Sequence, residues 1–242
     1  MFQFKQFTIH QDRTAMKVGT DGVLLGAWAP IDSTTNRLLD IGTGTGLIAL
    51  MLAQRILKEN NNCLLEIDAI DIDSSSIEQA AENINNSPFA KYINTYFTSL
   101  QNYSPTDKYN AIVCNPPYFV ASLKCPDASR TQARHTDTLS FDELLKHSAR
   151  LLYDEGSLSV ILPVNEGNKL IELASEHGFK LKELVYVHPT PTSEPKRLLI
   201  HLIKTNEQQV ENKHSVLTIE LARHQYTPEY IELTREFYLK MK

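Results

Sequence analysis

The stretch Leu38-Leu39-Asp40-Ile41-Gly42-Thr43-Gly44-Thr45-Gly46-Leu47 constrains the fold of this chain more than any other. A short apolar run stops at three alternating glycines and an amphipathic pattern over Gly46–Glu59 begins at once, so a buried strand passes through a tight turn into a helix. The alternation continues downstream. Strand patterns are read at Arg37–Ile41, Leu64–Asp71, Tyr92–Phe97, Tyr109–Asn115, Ser157–Leu162, Phe179–Val187 and Leu198–Lys204. Helical spacing fills Ser74–Asn86, Phe141–Tyr153 and Asn165–His177 between them. Strands alternating with helices predict a mainly parallel sheet covered on both faces, a doubly wound, Rossmann-like α/β fold with seven strands. Ser74 and Ser140 stand where helix N-caps are expected, with Asp73 a competing cap for the first. Residues 1–35 lie outside the alternation as an N-terminal arm, 36–206 form the core, and 207–242 are a C-terminal extension. That extension opens with the polar linker Glu207–Lys213, followed by a strand-like run, Ser215–Glu220, and a helical tail from Thr227.

Composition excludes several classes. With 42% apolar and 22% charged residues among 242, the chain can build a large core and is not disordered over most of its length. The three cysteines, Cys63, Cys114 and Cys125, are an odd number without a C-x-x-C pair, which suggests neither a disulfide framework nor a metal cage. No metal is expected. The N-terminus lacks an apolar signal core, and the longest apolar run, Leu47–Ala53, is far too short to span a bilayer, so a cytoplasmic protein is expected. A formal net charge of -5 argues against broad nonspecific nucleic-acid binding and requires any such partner to meet a local basic patch.

The glycine loop suits a nucleotide-like cofactor, because glycine lets backbone approach a ligand and the following helix offers free N–H groups. A dinucleotide fingerprint would need glycine at position 47, where Leu47 stands, and would not carry the carboxylate of Asp40. The pattern Asp40-x-Gly42-x-Gly44-x-Gly46 instead resembles the first motif of class I methyltransferases, which implies S-adenosylmethionine. The second strand ends in Asp71, placed to accept both ribose hydroxyls, while Asp73 is read as the cap of the next helix. After the third strand such enzymes commonly carry an acid for the adenine amino group. Ser99 stands there, and a hydroxyl makes that contact more weakly.

The fourth strand runs into Asn115-Pro116-Pro117-Tyr118-Phe119. A diproline by itself only stops a ladder and fixes a turn. An amide, a rigid diproline and two aromatics at the carboxyl edge, downstream of a cofactor loop, resemble the Asn-Pro-Pro-Tyr motif of methyltransferases acting on planar nitrogens. An exocyclic amine is a poor nucleophile because its lone pair is delocalised. The Asn115 side-chain oxygen and the Pro116 carbonyl can each accept one N–H, favouring a pyramidal nitrogen and stabilising its developing charge. Pro117 fixes the turn, and Tyr118, with Phe119 beside it, can stack on an extruded base.

The N-terminal segment Phe7-Thr8-Ile9-His10-Gln11-Asp12-Arg13-Thr14-Ala15-Met16-Lys17-Val18-Gly19-Thr20-Asp21-Gly22-Val23-Leu24-Leu25-Gly26-Ala27-Trp28, together with these motifs, resembles the bacterial tRNA1(Val) adenine N6-methyltransferase family. The resemblance reaches over nearly the whole chain, to Asn83-Ile84-Asn85-Asn86-Ser87-Pro88 and Tyr226-Thr227-Pro228-Glu229-Tyr230. It implies methylation of the adenine immediately 3′ of the anticodon, and an arm packed at the cofactor site with Lys17, Thr20 and Asp21 near the methionine end of the cofactor. By spacing alone, Thr20-Asp21-Gly22 reads as a turn or helix cap. Candidate phosphate contacts are Lys124, Arg130 and Arg134 after the catalytic motif, Lys196-Arg197 between the last two core strands, and Arg223-His224. The 124–135 loop is long and charged enough to serve as a substrate lid. Other readings remain open at this point: N5-methylation of a glutamine in a peptide-release factor, methylation of DNA adenine or ribosomal guanine, or a non-catalytic RNA-binding factor that keeps the pocket. Oligomeric state is not legible.

Overall fold

The computed structural model describes residues 1–31, 34–59, 64–116 and 139–241. Its centre is a sheet of eight strands: β3 (Arg37–Ile41), β4 (Glu66–Asp71), β5 (Ile93–Phe97), β6 (Tyr109–Cys114), β7 (Leu152–Pro163), β8 (Phe179–His188), β9 (Arg197–Lys204) and β10 (Lys213–Thr218), in the order β10-β8-β9-β7-β6-β3-β4-β5. β3 to β7 are mutually parallel, β9 runs antiparallel between β7 and β8, and β10 pairs parallel with β8. Helices α2 (Leu47–Glu59), α3 (Ser74–Asn85), α4 (Phe141–Leu151) and α5 (Val164–Ala174) connect the core strands. The doubly wound α/β expectation holds, with one strand more than seven. The added strand is the strand-like run of the extension. It was hard to count with the core because Val216, midway along it, is exposed at the sheet edge.

Local chemistry explains most element ends. Asp73, not Ser74, caps α3, accepting from the N–H groups of Ser75 and Ser76 at 3.3 and 3.2 Å; a carboxylate one residue earlier reaches the first-turn donors, and Ser74 becomes the first helical residue. Ser140 caps α4 in a full capping box with Glu143. α4 stops at Leu151, short of Tyr153, because β7 begins at Leu152 without a loop. β7 then passes an irregular turn at Glu155, φ 63°, before regular pairing resumes at Ser157, the start legible in the sequence.

The arm is more structured than its sequence suggests. It holds a short hairpin, β1 (Phe2–Gln3) with β2 (Thr8–Ile9), and a helix, α1 (Thr20–Trp28). Residues Gly22 to Ala27 are all buried, so α1 has no polar face and therefore no amphipathic period to detect. Gly22 and Gly26 let it lie close on α2: a Cβ on Gly26 would stand 2.8 Å from Met51 Sδ, and one on Gly22 3.2 Å from Leu47 Cδ2. Arg55 closes its end, donating to the carbonyls of Gly26 and Ala29 at 3.1 and 2.9 Å. The extension adds a second hairpin, β11 (Glu220–Ala222) with β12 (Gln225–Tyr226), and α6 (Pro228–Thr234). Arm and tail meet: Phe4 bridges to Tyr238, Lys5 Nζ donates to the Arg235 carbonyl at 2.6 Å, and Phe4, Phe7, Tyr230 and Phe237 join the core beneath α1 and α2. No helix of the described residues is long and apolar enough to cross a membrane.

Candidate active site

β3, β4, β5 and β6 end on one edge, and the connections diverge there: the chain moves from β3 outward to β4 and β5, then returns to place β6 on the other side of β3. The crevice at that reversal is where open α/β sheets bind ligands. Two sequence motifs flank it. Ile41, the last residue before the glycine loop, lies opposite Cys114, the last before Asn115.

The loop is tied down at its start by Gly42 and Thr43, whose N–H groups donate to the Ile70 carbonyl at 2.9 and 3.0 Å. Gly42, Gly44 and Gly46 have φ of 68, 56 and 79°, conformations in which a Cβ is strained, and the space a Cβ would enter is open over Gly42 and touched only by the Gly42 carbonyl, at 4.0 Å, over Gly44. The loop thus presents bare backbone to the crevice and leads into the N-terminus of α2. Asp71, at the end of β4, accepts from Gly44 N–H at 2.9 Å through Oδ2 and from Asp73 N–H at 3.0 Å through Oδ1. Asp40 lies fully buried below the loop, its Oδ2 accepting from the Thr43 hydroxyl at 2.7 Å; burial pushes its carboxyl up to about 7 against that hydrogen bond. Burial, with Asp40 and Asp71 near, also pushes the Cys114 thiol up. The cradle thus offers bare backbone beside the Asp71 carboxylate, which favours a cofactor with hydroxyl donors and positive charge, while Asp40, buried and raised to about 7, supports the loop from below. S-adenosylmethionine, with its sulfonium and ammonium groups, fits that donor set.

The other expected site residues fall around this crevice in different ways. Asn115 is half-buried and Pro116 buried at the end of β6. Ser99 is half-buried past β5, its hydroxyl oxygen accepting from Asn102 N–H at 3.3 Å in the turn that follows. Thr20 opens α1, and exposed Lys17 folds back on the arm, donating to the carbonyls of Thr14, at 2.9 Å, and Gln11. Lys196 and Arg197 lie on the same sheet edge as Asn115, because Arg197 is opposite Pro163, the last residue of β7. Lys196 is exposed, whereas Arg197 Nε donates to Asp21 Oδ2 at 2.8 Å. The structure therefore joins Asp21 and Arg197, which the sequence had assigned to different ligands. Pro117, Tyr118, Phe119, Lys124, Arg130 and Arg134, and with them the lid idea for 124–135, lie outside the described residues.

Sequence reasoning passed over Ile72 and Phe97. They are 56 and 64% exposed just past Asp71 and at the end of β5, where Asp71 and Phe97 are ladder partners. Two bare apolar side chains beside the Asp71 carboxylate at the crevice suit a flat ring. Their signal was available: apolar residues directly at strand ends on the carboxyl edge.

Comparison with known proteins agrees with this geometry. The methyltransferase small domain model matches residues 23–176. A tRNA1(Val) (adenine(37)-N6)-methyltransferase of Parabacteroides distasonis is 51% identical over 242 residues, covering 99% of this chain and 98% of that protein. One of Flavobacterium psychrophilum is 47% identical over 243 residues, covering all of both. The chain belongs to the tRNA1(Val) (adenine(37)-N6)-methyltransferase family. A solved structure of a predicted O-methyltransferase from Agrobacterium tumefaciens superposes on this family member with a TM-score of 0.68 at 18% identity, over 90% of this chain and 96% of that one, a likeness of fold alone. Among the described residues of this family member, no group of three or more His, Cys, Asp or Glu side chains could hold a metal ion.

Proposed function

We propose that this chain transfers a methyl group from S-adenosylmethionine to the N6 amine of adenine 37 in tRNA1(Val). The observation that carries this reading is the meeting, across one strand pair, of an acid-bracketed glycine cradle and an Asn-Pro corner, in a chain similar over its full length to enzymes of that name.

The cofactor would supply an electrophilic methyl group on a sulfonium sulfur. The residues of this chain do the rest. The glycine loop lets the cofactor lie against backbone, Asp71 holds the ribose, and Ile72 and Phe97 flank the adenine. Lys17, Thr20 and Asp21 face the methionine end, and Ser99 lies toward the adenine edge. Asn115 and the Pro116 carbonyl accept the two N–H groups of the target amine, which turns its lone pair toward the methyl group and stabilises the charge it gains. Positioning is the main contribution, and no strong base is required, because the methylated cationic amine is acidic enough to lose its proton afterwards. Tyr118 and Phe119 stack on the extruded base. Lys124, Arg130, Arg134 and Lys196 serve the tRNA backbone, while Arg197, held by Asp21, braces the arm against the sheet edge. Such a reaction belongs in the cytoplasm, with tRNA as the partner.

The test is to incubate the purified protein with isotopically labelled S-adenosylmethionine and unmodified tRNA1(Val), then digest the RNA and analyse the nucleosides by mass spectrometry. Labelled N6-methyladenosine is expected, and a tRNA with guanine at position 37 should give none. No labelled nucleoside from a protein that binds the cofactor would overturn the reading in favour of a glutamine amide in a protein or an adenine in DNA.

A further inference from the structure

Helix α3 buries Ser76, Gln79, Ala80, Asn83 and Ile84, a single stripe in which amides occupy positions that an apolar side chain would ordinarily fill. The apolar members lie under the glycine loop: a Cβ on Gly46 would stand 3.4 Å from Ile84 Cδ1 and 3.5 Å from Ala80 Cβ. The amides reach further. Asn83 is 1% exposed; its Nδ2 donates to the Thr45 carbonyl at 2.9 Å and to the His10 carbonyl at 2.8 Å, while its Oδ1 accepts from His10 N–H at 2.8 Å. Gln79, one turn earlier, accepts through Oε1 from the N–H groups of Asp12 and Arg13 at 3.1 and 3.3 Å, and Arg13 pairs with Glu82 at 2.9 Å. Between these anchors and α1 the arm is braced internally. Lys17 Nζ donates to two arm carbonyls, and Gln11 Oε1 accepts from Val18 N–H at 2.8 Å.

We propose that Asn83 is a positioning residue for the cofactor. It uses both of its donors and one acceptor to fix the arm's entry point against the glycine loop, and the braced unit then carries Lys17, Thr20 and Asp21 to a set place beside the crevice. Gln79 supports the same docking from the arm side alone. The inference rests on the proposed function for what those arm residues meet, but the docking itself can be tested apart from it.

The experiment compares wild type with Asn83→Ala, Asn83→Asp and Gln79→Met. Each is checked for folding by circular dichroism and thermal melting. S-adenosylmethionine affinity is read by calorimetry, tRNA affinity by filter binding, KM and kcat by methyl transfer, and arm release by the rate of tryptic cleavage after Arg13 and Lys17. Both Asn83 variants should bind S-adenosylmethionine about tenfold or more weakly, the size expected when a buried hydrogen bond is broken with its partners left unpaired. Their KM for the cofactor should rise in proportion, kcat at saturating cofactor should stay within about threefold of wild type, tRNA affinity should be unchanged, and arm cleavage should accelerate. Gln79→Met should move the same quantities in the same direction by less, and it carries the test if the Asn83 variants do not fold. Folded variants with wild-type cofactor affinity, or with wild-type arm cleavage, would overturn the proposal. A loss of kcat that saturating cofactor does not restore would also overturn it, because the defect would then lie in the chemistry. If wild type binds the cofactor but methylates no tRNA, the proposed function fails while affinity and cleavage still judge Asn83.

Discussion

Replacing Asp71 by alanine separates two jobs that one carboxylate is placed to do. In the structure it accepts from Gly44 N–H and Asp73 N–H, at 2.9 and 3.0 Å, so it holds the glycine loop to the end of β4 whether or not a ligand is present. In the proposed function it also accepts from the ribose. The first job is a stability term: two hydrogen bonds to a half-exposed charged acceptor at about 1.5 kcal/mol each give roughly 3 kcal/mol, and at about 2–4 °C per kcal/mol for a chain of this size the melting temperature should fall by about 6–12 °C. The second is a binding term. Hydroxyl bonds to a charged acceptor are worth about 1.5–3 kcal/mol, so losing the ribose contact should weaken the cofactor by about 10- to 150-fold. Differential scanning fluorimetry without ligand reads the first, and calorimetry with S-adenosylmethionine and S-adenosylhomocysteine reads the second. The two ligands share the ribose and differ in the sulfonium charge, so both should weaken by the same factor. A melting temperature that falls as expected, with affinities within threefold of wild type, would refute the ribose role and leave Asp71 as a loop tie. Weakening of S-adenosylmethionine alone would reassign the carboxylate to the sulfonium.

Two further perturbations test other parts of the site and core. Asn115→Ala should lower methyl transfer by about 10²-fold or more with cofactor affinity unchanged, as when a transition-state hydrogen bond is lost, and near-normal turnover in a single-turnover assay would remove Asn115 from the chemistry. Two buried groups should give opposite pH slopes in urea unfolding. His201, hydrogen-bonded to Ser159 at 3.0 Å, is lowered by burial from 6.5 to about 4, so the unfolded chain takes a proton that the folded one refuses, and stability falls as pH drops through that window. Asp40 is raised by burial from 3.8 to about 7, so the folded chain keeps a proton that the unfolded one releases, and stability falls as pH rises through that window. At about 1.4 kcal/mol per unit, the slopes amount to roughly 3–5 kcal/mol each over their ranges. His201→Gln should expose the Asp40 slope and Asp40→Asn the His201 slope; identical pH profiles for the two variants would show that neither burial effect is real.

What was legible in the sequence was what local physics writes there. β3, β4 and β6 were found to within two residues because buried parallel strands read as apolar runs closed by turn signals, and the glycine loop because three positive-φ positions demand glycine at fixed spacing. α1 was invisible for the opposite reason: a helix buried on every side has no stripe. The site divides the same way. Asp40, the glycines, Asp71 and Asn115 belong to motifs within one turn and its flanks, whereas the pairing of Asp21 with Arg197 and the reach of Asn83 to His10 and Thr45 join segments distant in the chain, and nothing in local spacing encodes them. Asn83 and Gln79 did leave one trace. They stand on the inward stripe of α3, where an amide is costly unless it is bonded, and that conflict between period and polarity marks a position held for a partner.

The charge balance of the fold bears on how an acidic chain can hold RNA. Phosphate binding draws on cations free to release their counterions, and a guanidinium already committed within the fold contributes less. Among the described residues, Arg13 is held by Glu82, Arg37 by Glu66 with Asp68 beyond it, Arg197 by Asp21 and Arg235 by Glu232, while Arg55 and Arg150 donate to backbone carbonyls. These arginines brace the arm, the sheet and the helix ends. The proposed RNA face then depends on Lys196, exposed on the same sheet edge as Asn115, and on Lys124, Arg130 and Arg134, which follow Asn115 in sequence. A few phosphate contacts give modest affinity with shallow salt dependence, too little to retain RNA broadly. For such an enzyme, discrimination must come from the base that enters the pocket and from the shape of the loop presenting it, which is consistent with a net charge of -5 in a protein whose proposed substrate is polyanionic.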